Sequence, residues 1–138
     1  MPESTQHLRL VESIVNYIGA RYSDLKGMVI LSDLPSTVGG DRPPRVGGFA
    51  PDVYAIDVPA TVTVIGEAKT AEDLLTGHSR QQIEAFLDHL KYQRTGVLIL
   101  AVPCFHSASA RIVVETAKRS ADIKSNEVEI VILDEFRS

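Results

Sequence analysis

Two neighbouring segments, Asp52–Asp57 and Thr61–Lys69, constrain the fold more than anything else in the chain. Both read as strands that are apolar on both faces. Val53 and Ala55 point one way, Tyr54 and Ile56 the other, and Val62 and Val64 alternate with Ile65 in the partner. Strands of this kind need cover above and below, which places them centrally in a sheet between helices. Pro59 falls between them and predicts a tight turn Val58-Pro59-Ala60-Thr61, with proline at its second position where a fixed φ is favoured. That turn pairs Val58 with Thr61, Ile56 with Thr63, Tyr54 with Ile65 and Asp52 with Glu67.

The remaining pattern supplies the cover. Ser4–Arg21 places Leu8, Val11, Ile14, Val15 and Ile18 on one helical stripe. Met28–Leu34 is a short strand-like run stopped by Pro35. Pro35–Gly48 holds four glycines and three prolines together with Arg42 and Arg45, and reads as a long loop. Ser79–Arg94 predicts a second helix with Ile83, Phe86, Leu87 and Leu90 inward. Val97–Val102 is a buried strand, Ser107–Ser120 a third helix and Val128–Leu133 a last strand. The order α-β-β-β-α-β-α-β predicts an antiparallel meander continued by parallel crossovers. The expected result is a mixed α/β sheet with helices on both faces, in a single domain over 1–138, a length suited to one core.

Composition narrows the function. A single cysteine, Cys104, excludes an internal disulfide framework and a multi-cysteine zinc site. The longest wholly apolar run, Val97–Pro103, is too short for a membrane span, and the N-terminus shows no secretion signal, so a soluble, cytoplasmic protein is expected. The net charge of -4 argues against nucleic-acid binding by global attraction. Binding would then depend on local basic patches and on a metal held by carboxylates.

The predicted register sets Asp52 and Glu67 side by side on central strands. Like charges so placed destabilise a sheet, and a hard cation with oxygen ligands would offset that. Lys69, two residues beyond Glu67, shares its face. Carboxylates for a cation, a cation to stabilise phosphate charge and a positioned water are the parts of metal-assisted phosphodiester hydrolysis.

Pro51-Asp52, followed after fourteen residues by Glu67-Ala68-Lys69, resembles the PD-(D/E)XK motif of the restriction-endonuclease-like nucleases. The resemblance extends from the first helix to about Val102 and implies their αβββαβ core, here followed by a further αβ. It implies that Asp52 and Glu67 bind Mg²⁺ or Mn²⁺, that the Ala68 carbonyl adds a ligand, and that Lys69 serves the water or the transition state. It also implies that Glu12, on the first helix, is a candidate third carboxylate. Gln82-x-x-x-Phe86 resembles the Q-x-x-x-Y motif of RecB-like nucleases, with Phe86 where those carry tyrosine, and a similarly placed glutamine occurs in virus-type replication-repair nucleases. Ser79-Arg80-Gln81-Gln82 also reads as an S-x-x-Q capping box, in which Gln82 would reach back to its own helix start.

Arg42, Arg45, Arg80, Lys91 and Arg94 are candidates for phosphate contact. Arg111, Lys118, Arg119 and Lys124 form the most basic stretch, expected to face away from the metal. His7, His78, His89 and His106 show no metal-ligand spacing, and Cys104 reads as a core or near-core residue. The resulting expectation is a Mg²⁺-dependent nuclease acting on DNA, in repair or phage defence, as a homodimer or part of a larger complex. A catalytically silent binding module of the same fold is the alternative.

Overall fold

A computed structural model describes residues 5–35, 42–124 and 127–134. Along the chain run α1 (Thr5–Arg21), β1 (Val29–Ser32), β2 (Val53–Ile56), β3 (Thr63–Ala68), α2 (Ala71–Leu74), α3 (Gly77–Leu90), β4 (Gly96–Val102), α4 (Ser107–Ser120) and β5 (Val128–Asp134). The five strands form one sheet in chain order. β1, β2 and β3 are antiparallel neighbours, and β3, β4 and β5 are parallel. This is the mixed sheet with helices on both faces that the pattern of elements predicts.

Each face has its own apolar layer. On one side α1 lays Leu10, Val11, Ile14 and Ile18 across Val53, Ala55, Val64, Val97 and Ile99. On the other, α3 and α4 bring Ile83, Phe86, Leu87 and Val114 onto Ile65, Leu98 and Leu100. β4 runs between these layers with all seven residues buried. The approach of α1 depends on Gly66: a Cβ there would come within 2.5 Å of the Ile14 Cγ2. No described helix is long and apolar enough to cross a membrane.

Four details depart from the sequence reading. The hairpin keeps its predicted pairs, Tyr54 with Ile65 and Ile56 with Thr63, but the turn lies one residue earlier. Ala60 N–H donates to Asp57 O at 2.6 Å, so Pro59 is third in that turn, and Ala60 is left-handed at φ 69°. Asp57 organises the loop, accepting from the Thr61 hydroxyl and, at 2.8 Å, from Val62 N–H. These two bonds hold its carboxyl below the usual carboxylate range. The short helix α2 was not anticipated, since four residues are too few for a periodic signal. α3 starts at Gly77 rather than Ser79 and ends at Leu90 rather than Arg94.

The capping box is the fourth. Thr76 is the N-cap, accepting from Ser79 N–H at 3.1 Å. With the helix starting earlier, Gln82 lies beyond the first turn and its side chain is used elsewhere. Within the predicted long loop, residues 36–41 lie outside the described residues. The described remainder ends in a tight turn bridging Val46 and Phe49, with Gly47 and Gly48 at φ 60° and 89°. Consecutive positive φ values favour glycine at both places. A Cβ on Gly47 would also meet the Ala85 Cβ of α3 at 2.8 Å, so the turn is seated on that helix.

Candidate functional site

β3 ends where its carboxyl end meets the start of β2, and buried charge gathers there. The pairs Val53–Gly66 and Tyr54–Ile65 extend by one step to bring Asp52 beside Glu67. Side chains complete the ladder. Asp52 N–H donates to Glu67 Oε1 at 3.2 Å, and Asp52 Oδ2 accepts from Ala68 N–H at 2.9 Å. Lys69 follows on the Glu67 face, its Nζ 3.2 Å from Glu67 Oε2, and donates to Gln82 Oε1 on α3. Asp52, Glu67, Lys69 and Gln82 are 9%, 4%, 6% and 8% exposed. Four polar side chains are thus withdrawn from water at one end of an otherwise apolar sheet.

The electrostatics follow from that burial. Glu67 is pushed up to about 8, first by loss of water and then by the Asp52 carboxylate, while Lys69 pulls the other way. A carboxyl that retains its proton to such a pH has too little positive charge around it. The position matches a general rule for sheets of this kind, in which ligands bind outside the carboxyl ends of parallel strands.

One member of the cluster was missed in the sequence. His7 Nε2 lies 3.4 Å from Asp52 Oδ2, with both side chains largely buried. The signal was present: His7 is four residues before Val11 and seven before Ile14, and so extends the buried stripe of α1. Glu12 is not brought to the pair. Its direction on the helix differs from that stripe, and it is exposed along a cleft beside β5. Among the described residues no group of three or more His, Cys, Asp or Glu side chains is gathered to hold a metal.

The basic candidates also separate from the cluster. Arg42 donates to Ser32 O and Leu34 O, and Arg45 to Gly48 O, so both guanidinium groups tie down their own loop. Arg80 is exposed by a small groove between α2 and α4. Lys91 lies nine residues after Gln82, about 14 Å along a helix, and meets Asp88 and Ala121 O. Arg94 is exposed beyond the end of α3. His78 packs against Phe49, His89 meets the Tyr54 hydroxyl, and His106 meets Cys104 O. Cys104 is half-buried on the wall of the cleft rather than in the core.

No protein family matches the chain, and no curated protein does. Among solved structures it is similar to Pyrococcus furiosus SfsA, determined in complex with Ca²⁺, with a TM-score of 0.53 and 15% identity. The match covers 91% of this chain and 57% of SfsA, so the chain spans little more than half the length of that protein. The likeness shows a shared α/β fold.

Proposed function

We propose that the chain is a divalent-metal-dependent nuclease, acting on DNA and assigned to the PD-(D/E)XK group that its motif resembles. The observation that carries this reading is the convergence of Asp52, Glu67 and Lys69, all buried, at one end of a nuclease-like sheet. The donor set fits Mg²⁺ or Mn²⁺. Mg²⁺ is usually held by one or two carboxylates, with water and substrate phosphate completing its shell. Asp52 and Glu67 would supply the carboxylates. Ala68 turns its N–H toward Asp52, and in an extended strand a residue's carbonyl projects to the same side as its N–H. Burial first, and the Asp52 carboxylate second, raise the Glu67 carboxyl, and a cation between the two acids would offset both. The likeness to a protein known in complex with Ca²⁺ accords with this.

Bound there, the cation would polarise a phosphodiester oxygen and favour a nucleophilic water. The chain's own groups position and balance charge. Ala68 N–H fixes Asp52, with His7 beside the same oxygen. Gln82 holds the Lys69 ammonium beside Glu67, where it can hold a water or meet negative charge developing on phosphate. Supercoiled plasmid, forked DNA and RNA incubated with Mg²⁺ or Mn²⁺ test the reading, with Asp52→Ala and Lys69→Ala as controls. Cleavage by the wild type alone is expected. Equal inactivity of all three overturns the enzymatic reading and leaves a silent binding module or a subunit of a larger complex.

A further inference from the structure

A cleft of about 760 Å³ opens between α1 and the carboxyl end of β5. Leu133 and Tyr17 give it apolar surface, and Glu12, Asn16 and Asp134 bring polar groups to its wall. Cys104, which follows β4, also lines it. Lys69 N–H donates to Ala101 O on β4, so the two chain ends leave the sheet together. β5, which lines the cleft, is separated from β3 by β4, about two strand spacings of roughly 4.8 Å each. At the other end of α1 the Arg21–Glu129 ion pair, at 2.8 Å, ties the helix to β5.

Phe105 directly follows Cys104 of the cleft wall in the chain. It is 90% exposed, with a left-handed backbone at φ 72°. His106 N–H donating to Pro103 O at 3.1 Å holds the turn around it. An exposed ring contributes no burial, and a non-glycine residue in this conformation is strained. Such strain is retained where the surroundings impose it, and it clusters at binding sites.

We propose that Phe105 and the α1–β5 cleft form a subsite for unpaired nucleobases of a single strand of nucleic acid; the proposal rests on the nuclease reading. The Phe105 ring offers a stacking platform, which is tolerant of base identity. Inside the cleft, Glu12 and Asp134 carboxylates accept from exocyclic amines, and the Asn16 amide both donates and accepts. Arg9 lines the same cleft and supplies a cation for the backbone phosphate beside the bases. Cytosine, adenine and guanine carry an amine that thymine and uracil lack. The subsite therefore prefers amine-bearing bases, and it takes single strands because duplex bases are already stacked and paired.

Fluorescence anisotropy of labelled oligo(dC), oligo(dT) and oligo(rC) with the full chain, without divalent cation, tests this. Oligo(dC) should bind more tightly than oligo(dT), and oligo(rC) reports whether the sugar matters. Phe105→Gly should weaken binding about tenfold, the loss of one stacked base, while its melting temperature holds or rises because glycine relieves the strain. Glu12→Gln with Asn16→Ala should remove the preference for cytosine. Equal binding of oligo(dC) and oligo(dT) by the wild type, or unchanged affinity in Phe105→Gly, overturns the proposal. Since no metal is present, cleft-dependent binding by a protein that never cuts would overturn the nuclease reading alone.

Discussion

β3 and β4 are adjacent, parallel and equally buried, yet they end differently. β4 is apolar to its last residue, Val102, whereas β3 runs into Glu67, Ala68 and Lys69. Glu67 stands beside Leu100 in the register, so a carboxyl and an isobutyl group occupy matching places under the same helix layer. Burying an ionisable group costs several kcal/mol even when it is partnered. Leu100 shows what that place holds when packing alone decides. The contrast separates a strand end shaped by packing alone from one that buries charged groups at a cost in stability.

The sharpest break would come from activity. Asp52→Ala and Lys69→Ala should each reduce metal-dependent cleavage by about a hundredfold or more, measured by plasmid nicking, with folding retained in circular dichroism. Next, Leu100→Ala should cost about 2–5 kcal/mol in urea unfolding, with little change in cleavage per folded molecule. If Leu100→Ala abolished cleavage while stability held, the division of labour between the two strands would be wrong.

A smaller effect follows from pH. Glu67 has a folded value near 8 against an ordinary value of 4.5. Between those limits the folded chain holds a proton that the unfolded chain has released, so metal-free stability falls as pH rises through that window. Calorimetry should show this decline, and Glu67→Gln should flatten it. Added Mg²⁺ should raise the melting temperature more at pH 8 than at pH 6, since the cation competes with the proton. A metal-free melting temperature that rises across the window would remove the electrostatic half of the comparison. The smallest effect concerns the helix that carries Gln82. Thr76→Ala should cost about 1 kcal/mol as a lost cap, whereas Gln82→Ala should leave the helix start intact and loosen Lys69.

The hairpin register and the layer order were legible because they follow from periodicity and from strands apolar on both faces. The same register places Asp52, Glu67 and Lys69 together from the sequence alone. The turn was not, because Asp57 closes it with side-chain bonds to Thr61 and Val62, and Pro59 offered a simpler alternative. His7 was read as an isolated histidine although it continues the α1 stripe, since nothing in α1 alone says what waits opposite. Glu12 was a candidate through the family resemblance and its place beside the α1 stripe, and the structure sets it exposed along the cleft beside β5. Gln82 was ambiguous because its capping role depended on where α3 begins, and that was set by Thr76, three residues before the polar cluster that opens at Ser79.

The Asp57 loop lies five residues from Asp52, about 17 Å along an extended strand. It nonetheless decides which way Asp52 faces, because a slip of one residue turns every side chain of a strand over. One amino acid inserted among Val58–Thr61 could therefore disarm the distant cluster while leaving each of its members in the chain. The loop behaves as a spacer whose length sets the geometry of the cluster as much as the acids themselves do.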